Sequence, residues 1–488
     1  VNRLVRDITV TGATVALSAG ALVLSTRLLA GGLGPADFGV YSALKRAIGI
    51  VVPFSTLTMG VALARFTAMA PDAGPRVELL VSASILGGVP TAVVTLVVFS
   101  HPDFIGRLLF ARPGYAREVI AAGVVLWGAL VYTVLYAYYR GSGQVGSANA
   151  LLLVNDCLGP VVIAAVLARP GNAGAVLLAM GALNGLALIP LARLLLPGLQ
   201  VRRWLHRVRD SMGDLFRYGG SRVPGGVTLA AILGAAPLVA AYSGAVADAG
   251  YLVAGQAVFA VGDVAFAAFG LVLLPKAAQL KAAGANQALR ELVDDLMALA
   301  LYVGVFGTVH LWIWGDYLLR VWLGEEFGPS IVLFRIFALA LVPYVLYGVF
   351  RSIVDAVDPR AINVRHLYLG LAVTGGGCLI LSGLGSPGLA AGTALGLAAL
   401  GLATVGYLWS GGWLGLREVD VRALVTLNVV CGAGAVAVRY GVEPLGLGVG
   451  AGVGMVAELV LFGLYCAALR RMKVRGIVQF GSRAVTAA

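Results

Sequence analysis

Apolar runs of about 20 residues, nearly free of charge, recur from one end of this chain to the other. Each is long enough to cross a hydrocarbon core of roughly 30 Å as a helix. They lie at 8–30, 39–63, 77–100, 118–139, 147–168, 173–196, 218–241, 249–275, 292–314, 330–354, 364–385, 387–410, 421–439 and 444–469. The runs lack the period-2 alternation of a lipid-facing barrel strand, which disfavours a strand-built pore. The expectation is an all-α integral membrane protein with about 14 transmembrane helices. A chain that is 60% apolar and only 12% charged belongs to that class.

The runs also repeat. Arg6 opens the first and Arg217 the seventh, the turn Asp37-Phe38-Gly39 returns as Asp248-Ala249-Gly250, and Arg65 returns as Lys276, at one constant offset of 211 positions. A later echo, Asp103-Phe104 and Arg107 against Asp316-Tyr317 and Arg320, needs two inserted residues. Two related six-helix lobes follow from this, and duplicated bundles are a transporter plan. Six is even, so the second lobe enters the bilayer in the same direction as the first. That predicts a pseudo-symmetry axis along the membrane normal and a cavity between side-by-side lobes. The divisions are an N-lobe at 1–196, a basic cytoplasmic linker at 197–217, a C-lobe at 218–410, and two extra C-terminal helices with a basic tail at 411–488. The outside segments 101–117 and 315–329 mix aromatic, aliphatic and single basic residues, which predicts interfacial helices in both.

The net charge of +12 is unevenly placed. Most of the 35 Lys and Arg fall on one set of loops, including Arg65, Arg76, Arg140, the stretch from Arg193 to Arg222, Lys276 and Lys281. That is the positive-inside bias, which puts both termini in the cytoplasm of a multi-pass cell-membrane protein. The charge is topological and gives no reason to expect nucleic acid. The first run exceeds a signal-peptide core and lacks a clean cleavage site, so it is expected to be retained. The linker, with Arg202, Arg203, His206, Arg207 and Arg209 beside Trp204 and Leu205, reads as a surface segment. Setting topology is one role for it, and contacting lipid headgroups or a partner is the other. Glycines such as Gly392 and Gly396, and the alternating run from Gly446 to Gly454, read as helix-packing faces. The latter superficially matches a dinucleotide fingerprint but follows no strand.

Ionisable groups inside the runs are costly unless paired or hydrated. Arg27, Lys45, Arg46 and Arg335 form the cationic set. Snorkelling explains Arg27 and Arg335, but Lys45 and Arg46 diverge by about 100° on a helix and cannot easily share one exit. A hydrated cationic cavity is the alternative, and it would suit a pyrophosphate or phosphate diester. Asp156, Asp263 and Glu458 fall near mid-membrane, with Asn155 and Gln256 as polar companions. These are candidates for H⁺ or Na⁺ coupling, the alternative being hydrogen bonds between helices. The histidines (His101, His206, His310, His366) fall singly among loops and helix ends, and the four cysteines are isolated, so neither a metal site nor a disulfide framework is expected. No catalytic motif or cofactor fingerprint is present, and the expectation is a protein that is not an enzyme.

Specific segments carry a family likeness. Thr26-Arg-Leu-Leu-Ala-Gly-Gly-Leu-Gly-Pro-Ala-Asp-Phe-Gly-Val-Tyr-Ser42 resembles the first helix–loop–helix of polysaccharide exporters and lipid-linked oligosaccharide flippases. Gly60-Val-Ala-Leu-Ala-Arg-Phe-Thr67 is similar to the end of their second helix, and the segment from Gly315 to Ser330 to their loop after helix 9. That family belongs to the multidrug/oligosaccharidyl-lipid/polysaccharide (MOP) flippase superfamily, with the multidrug extruders and the lipid II flippase. The resemblance implies two bundles that move a polyprenyl-(pyro)phosphate-linked oligosaccharide from the cytoplasmic to the outer leaflet by alternating access. Its implied partners are that lipid-linked glycan, membrane lipids and glycan-assembly enzymes.

Three alternatives stand beside it. A lipid II-type flippase shares the helix count. A cation-coupled multidrug extruder typically has twelve helices, and a cationic cavity would repel cationic drugs. A membrane glycosyltransferase or glycan polymerase usually carries a larger outer loop than any found here.

Overall fold

The computed structural model describes residues 2–195, 205–260, 273, 276–358, 360–415 and 419–471. All regular structure among them is helical, in two compact units, Val1–Gly250 and Tyr251–Ala488. Among the described residues, eleven helices are long and apolar enough to cross a membrane, or twelve when one pair bent by 51° counts as a span. The all-α membrane architecture stands. The described residues do not confirm the count of about 14, because some expected spans are joined, broken or only partly described.

The first cause lies in helix α1 (Asn2–Ser55), which joins two expected spans. Gly34, at φ 72° and ψ 170°, breaks it just before Pro35. Only glycine adopts that backbone without strain, and the residue before a proline is pushed out of the helical region. The second expected span, 39–63, is itself broken: Leu57 and Thr58 both hold a left-handed φ of 49°, and α2 (Met59–Met69) begins anew. Pro53 lacks the N–H that would continue the ladder here. Thr56 Oγ1 donates to the Val52 carbonyl at 2.8 Å, and Thr58 Oγ1 donates to the Gly219 carbonyl at 2.6 Å, which ties the break to α10. Of the expected span 249–275 the described part is the short apolar helix Val246–Ala260, and the rest lies outside the described residues.

The first unit continues through α3 (Ala73–Ser100), α4 (Pro102–Phe110), α5 (Ala116–Gly141), α6 (Val145–Leu152), α7 (Gly159–Leu167), α8 (Ala173–Gly185), α9 (Leu188–Leu195), α10 (Leu205–Gly220) and α11 (Val223–Tyr242). Helix α12 (Val246–Gly255) straddles the division. Between α6 and α7 the chain widens into a π-helical turn, Leu153–Leu158. Pro160 cannot donate to the Asp156 carbonyl, and that loosens the ladder at this point. The pairs α1–α11 and α5–α8 pack extensively. The echoed turns explain part of this, because a Cβ on Gly39 would lie 1.9 Å from the Val246 carbonyl oxygen and one on Gly250 would lie 2.9 Å from that of Pro35. Both copies keep glycine because the two backbones meet there.

The second unit contains α13 (Asn286–Leu323), α14 (Ser330–Ala338), α15 (Leu341–Val357), α16 (Ile362–Leu381), α17 (Ser386–Ser410), α18 (Val421–Val442) and α19 (Leu447–Arg471). The bend between α14 and α15 precedes Pro343, whose ring crowds the carbonyl four residues earlier. Gly392 and Gly396 face Cys378 and Thr374 of α16 at contact distance, as the packing-face reading requires. In the alternating run only part of the stripe is used. Gly454 meets the Trp314 indole, whereas Gly448 and Gly452 face open space. Large apolar side chains such as Leu379, Ile380, Leu402 and Val430 point outward, as lipid-facing residues do.

Of the two outside segments expected to form short separate helices, only the first does: α4 stands alone, but in the second copy α13 runs straight through to Leu323. The reason is a single substitution within the echo. Pro102 puts His101 at φ −132° and ψ 51° and ends α3, while the matching position is Gly315, which imposes no such stop.

Candidate functional site

Three elements of the first unit converge on one polar cluster. Helix α1 contributes Tyr41 and Lys45, α5 contributes Tyr132, Tyr136 and Arg140, and the π-turn contributes Asn155 and Asp156. Tyr132 donates its hydroxyl to Asp156 Oδ2 at 2.5 Å. Lys45 Nζ donates to the Tyr41 hydroxyl at 3.3 Å, and its charge acts on the Asp156 carboxylate. Tyr132 and Tyr136 stack at 5.8 Å, and the Arg140 guanidinium lies 5.7 Å from the Tyr136 ring and donates to its hydroxyl. Asn155 is buried. Its Nδ2 donates to the Leu151 carbonyl at 2.9 Å, and its Oδ1 has no partner among the described residues. Lys45 and Asp156 are both exposed within an otherwise apolar stretch.

Helical turns place these groups. Tyr132, Tyr136 and Arg140 recur every four residues on one face of α5, as do Tyr41 and Lys45 on α1. The π-turn rotates Asp156 relative to a regular helix, a device common at functional positions. The arrangement can hold a cation at Asp156, or release Lys45 toward an anion when the carboxylate is neutral.

The remaining expected site residues are distributed differently. Arg46 turns away from Lys45 and approaches Gly234 of α11, as two neighbours diverging on a helix must. Arg27 is exposed on α1, on the far side of the Gly34 break. Arg335 belongs to the second unit, where Nε donates to the Trp312 carbonyl at 3.2 Å and the guanidinium lies 5.1 Å from that indole. Gln256 is buried at the end of α12, and Asp263 lies outside the described residues.

Glu458 is not an isolated polar residue. It contacts His310 Nδ1 and accepts from Trp314 Nε1 at 2.6 Å, which pins α19 to α13. His310 therefore corrects the expectation of a histidine at a loop or helix end. It is buried inside α13, with Phe306 stacked on its ring at 3.8 Å.

Tyr132 and Tyr136 carry no charge, so the placement of ionisable groups does not reveal them. The signal that could have found them is the four-residue spacing of tyrosines ending on Arg140.

No protein-family model and no curated protein matches the sequence. Solved structures do. The lipid II flippase MurJ in an inward closed conformation aligns with a TM-score of 0.70 at 10% identity, covering 95% of this chain and 99% of its own. The fold is that of the MOP superfamily. An inward-facing multidrug resistance MATE family transporter of that superfamily aligns at TM-score 0.62 and 17% identity, over 80% of this chain and 93% of its own. A Pyrococcus furiosus MOP transporter, described as having a binding pocket of reversed polarity, aligns at 0.55 and 15%, over 83% and 95%.

Proposed function

We propose that this protein is a flippase moving a polyprenyl-(pyro)phosphate-linked oligosaccharide from the cytoplasmic to the outer leaflet by alternating access. The observation that carries this reading is Lys45, a cation exposed within an apolar stretch beside Asp156, on a fold shared with a lipid II flippase along almost the whole chain. The MATE transporters cover less of the chain, 80% to 86% in the matches compared. An acceptor-rich phosphate suits Lys45, and Arg46 supplies a second cation one position on.

Asp156 is the coupling residue in this reading. Ionised, it competes with substrate phosphate for Lys45. Bound to H⁺ or Na⁺, it leaves Lys45 to the substrate. Both termini are cytoplasmic, following the charge bias, and the protein acts with the enzymes that assemble its glycan.

The test is reconstitution. In vesicles carrying a fluorescent polyprenyl-pyrophosphate oligosaccharide, the wild type should make inner-leaflet label accessible to an impermeant quencher. The Lys45→Ala, Arg46→Ala double variant should not, at equal protein incorporation. Full activity of the double variant would end the phosphate reading. Faster transport of fluorescent lipid II than of the oligosaccharide lipid would reassign the substrate.

A further inference from the structure

The inner end of the first unit holds a second cluster that the transport site does not use. Tyr218, on the last turn of α10, carries two guanidinium groups on its ring: Arg65 from α2, with its carbon 4.5 Å from the centroid, and Arg222 from just before α11, at 3.7 Å. Phe66 meets the same ring edge-on at 5.8 Å. Two like charges are thus held against one ring and cannot be further apart than those two distances together. Neither has a carboxylate ion-pair partner among the described residues. A neutral aromatic face attracts each guanidinium but leaves its N–H edges free to donate. Arg222 spends one of those on the Tyr218 carbonyl at 2.9 Å, and Ser221 Oγ also donates to that carbonyl.

Beside the ring is an open cavity of about 260 Å³, lined by Phe66, Asp214, Arg217, Tyr218 and Ser221. Arg217 adds a third cation and Asp214 a single negative charge, so the neighbourhood remains net positive. Phe216, on the same helix, is exposed. An exposed aromatic next to a basic cluster suits the headgroup level of a bilayer. The positive-inside bias places this end in the cytoplasmic leaflet, where anionic lipids concentrate.

We infer that Arg65, Arg217 and Arg222 around Tyr218 form a binding site for the phosphate of an anionic headgroup. The bound phosphate would bridge α2, α10 and the start of α11. Thr58, at the break before α2, is already tied to Gly219 in the same turn, so occupancy would lock that break to α10. The site is separate from the transport cluster and does not rest on the transported substrate.

Binding of phosphatidylglycerol and of phosphatidylcholine to the delipidated full chain, measured by native mass spectrometry, tests it. Phosphatidylglycerol should bind at least about tenfold more tightly. Arg65→Gln with Arg222→Gln should remove that preference while leaving phosphatidylcholine unchanged, and Arg65→Lys with Arg222→Lys should retain much of it. A Lys45→Ala variant should keep it in full, which separates this site from the transport reading. Competition by inorganic phosphate at low millimolar concentration would support the site and identify a free phosphate, in place of a lipid, as its ligand. Equal binding of the two lipids, or an unchanged preference in the double Gln variant, would overturn the inference.

Discussion

Glu458→Ala should be among the most damaging single changes outside the Lys45–Asp156 cluster, and its cost can be worked from the contacts. The carboxylate accepts from Trp314 Nε1 at 2.6 Å and contacts His310 Nδ1, with the His310 side chain only 7% exposed and that of Glu458 21%. Truncation strands two buried N–H groups at about 1–3 kcal/mol each. Breaking a buried pair by removing one member typically costs about 3–5 kcal/mol. Glu458→Gln keeps the shape, an acceptor for Trp314 and a donor for the ring, so it should cost only about 1 kcal/mol. Unfolding by SDS in mixed micelles, followed through tryptophan fluorescence, gives the free energies. His310→Ala should also destabilise, and the double alanine variant should fall short of the summed single losses by about 1–3 kcal/mol, because the two share one contact. If Glu458→Ala unfolds within about 0.5 kcal/mol of the wild type, or the cycle is additive within about 0.5 kcal/mol, then α19 is not held to α13 in this way.

Further outcomes follow from other contacts. On the proposed function, Asp156→Asn should bind a polyprenyl-phosphate substrate at least as tightly as the wild type and lose the pH or Na⁺ dependence of transport; an unchanged pH and Na⁺ profile in the transport assay would remove Asp156 from the coupling role. Gly39→Ala puts a Cβ 1.9 Å from the Val246 carbonyl oxygen, so the backbone must shift, at about 1–3 kcal/mol in the SDS assay. Gly31→Ala has open space around it and should be neutral or slightly stabilising. Asp358, between α15 and α16, accepts from the Arg360 guanidinium at 2.7 Å and the Tyr407 hydroxyl at 2.5 Å, which hold its carboxyl well below the usual carboxylate range. A depressed folded pKa means that its stabilisation is full above about pH 4 and is lost as pH falls through the folded value. The stability gap between wild type and Asp358→Asn should therefore be constant from about pH 5 to 8 and close only in stronger acid; a gap that varies near neutrality would contradict the assignment.

How far the sequence could be read depended on which physical signal each feature left. Length and apolarity mark a span well, so α3, α5, α16 and α17 fall within a few residues of their expected positions. Breaks within a span leave fainter marks. Gly34-Pro35 lay in an expected loop, but the left-handed Leu57 and Thr58 follow from a contact with α10 that apolar periodicity does not encode. The echo between Asp103 and Asp316 was real in sequence and misleading in structure, because Pro102 has no counterpart at Gly315. For the site, charges were easy to find and their pairings were not. Lys45 and Asp156 stand far apart in sequence, and only the packing of α1 against the π-turn makes them neighbours. Glu458 reads from the sequence as an acid within an apolar run, whereas His310 falls near a helix end unless α13 runs on to Leu323.

Among the described residues, three acid–base pairings set beside one another, Asp316 with Arg439, His310 with Glu458 and Lys45 with Asp156, differ in ways that decide which one the proposed transport could use. Asp316 and Arg439 are joined at 2.6 Å with side chains only 18% and 19% exposed, and the guanidinium also lies 4.2 Å from the Tyr317 ring. His310 and Glu458 are in direct contact, the histidine buried and the glutamate side chain 21% exposed. A ligand can reach neither pair without first unpacking α18 or α19, so both are fastenings for the added C-terminal helices. Lys45 and Asp156 are both exposed and interact without a direct ion pair, each leaning on a tyrosine hydroxyl. A loosely held, accessible pair exchanges partners at little cost, whereas a tight buried one does not. Neutral substitutions should separate the two classes: at Glu458 or Asp316 they lower stability and leave the transport rate per folded molecule intact, and at Lys45 or Asp156 they change transport while the unfolding midpoint stays in place.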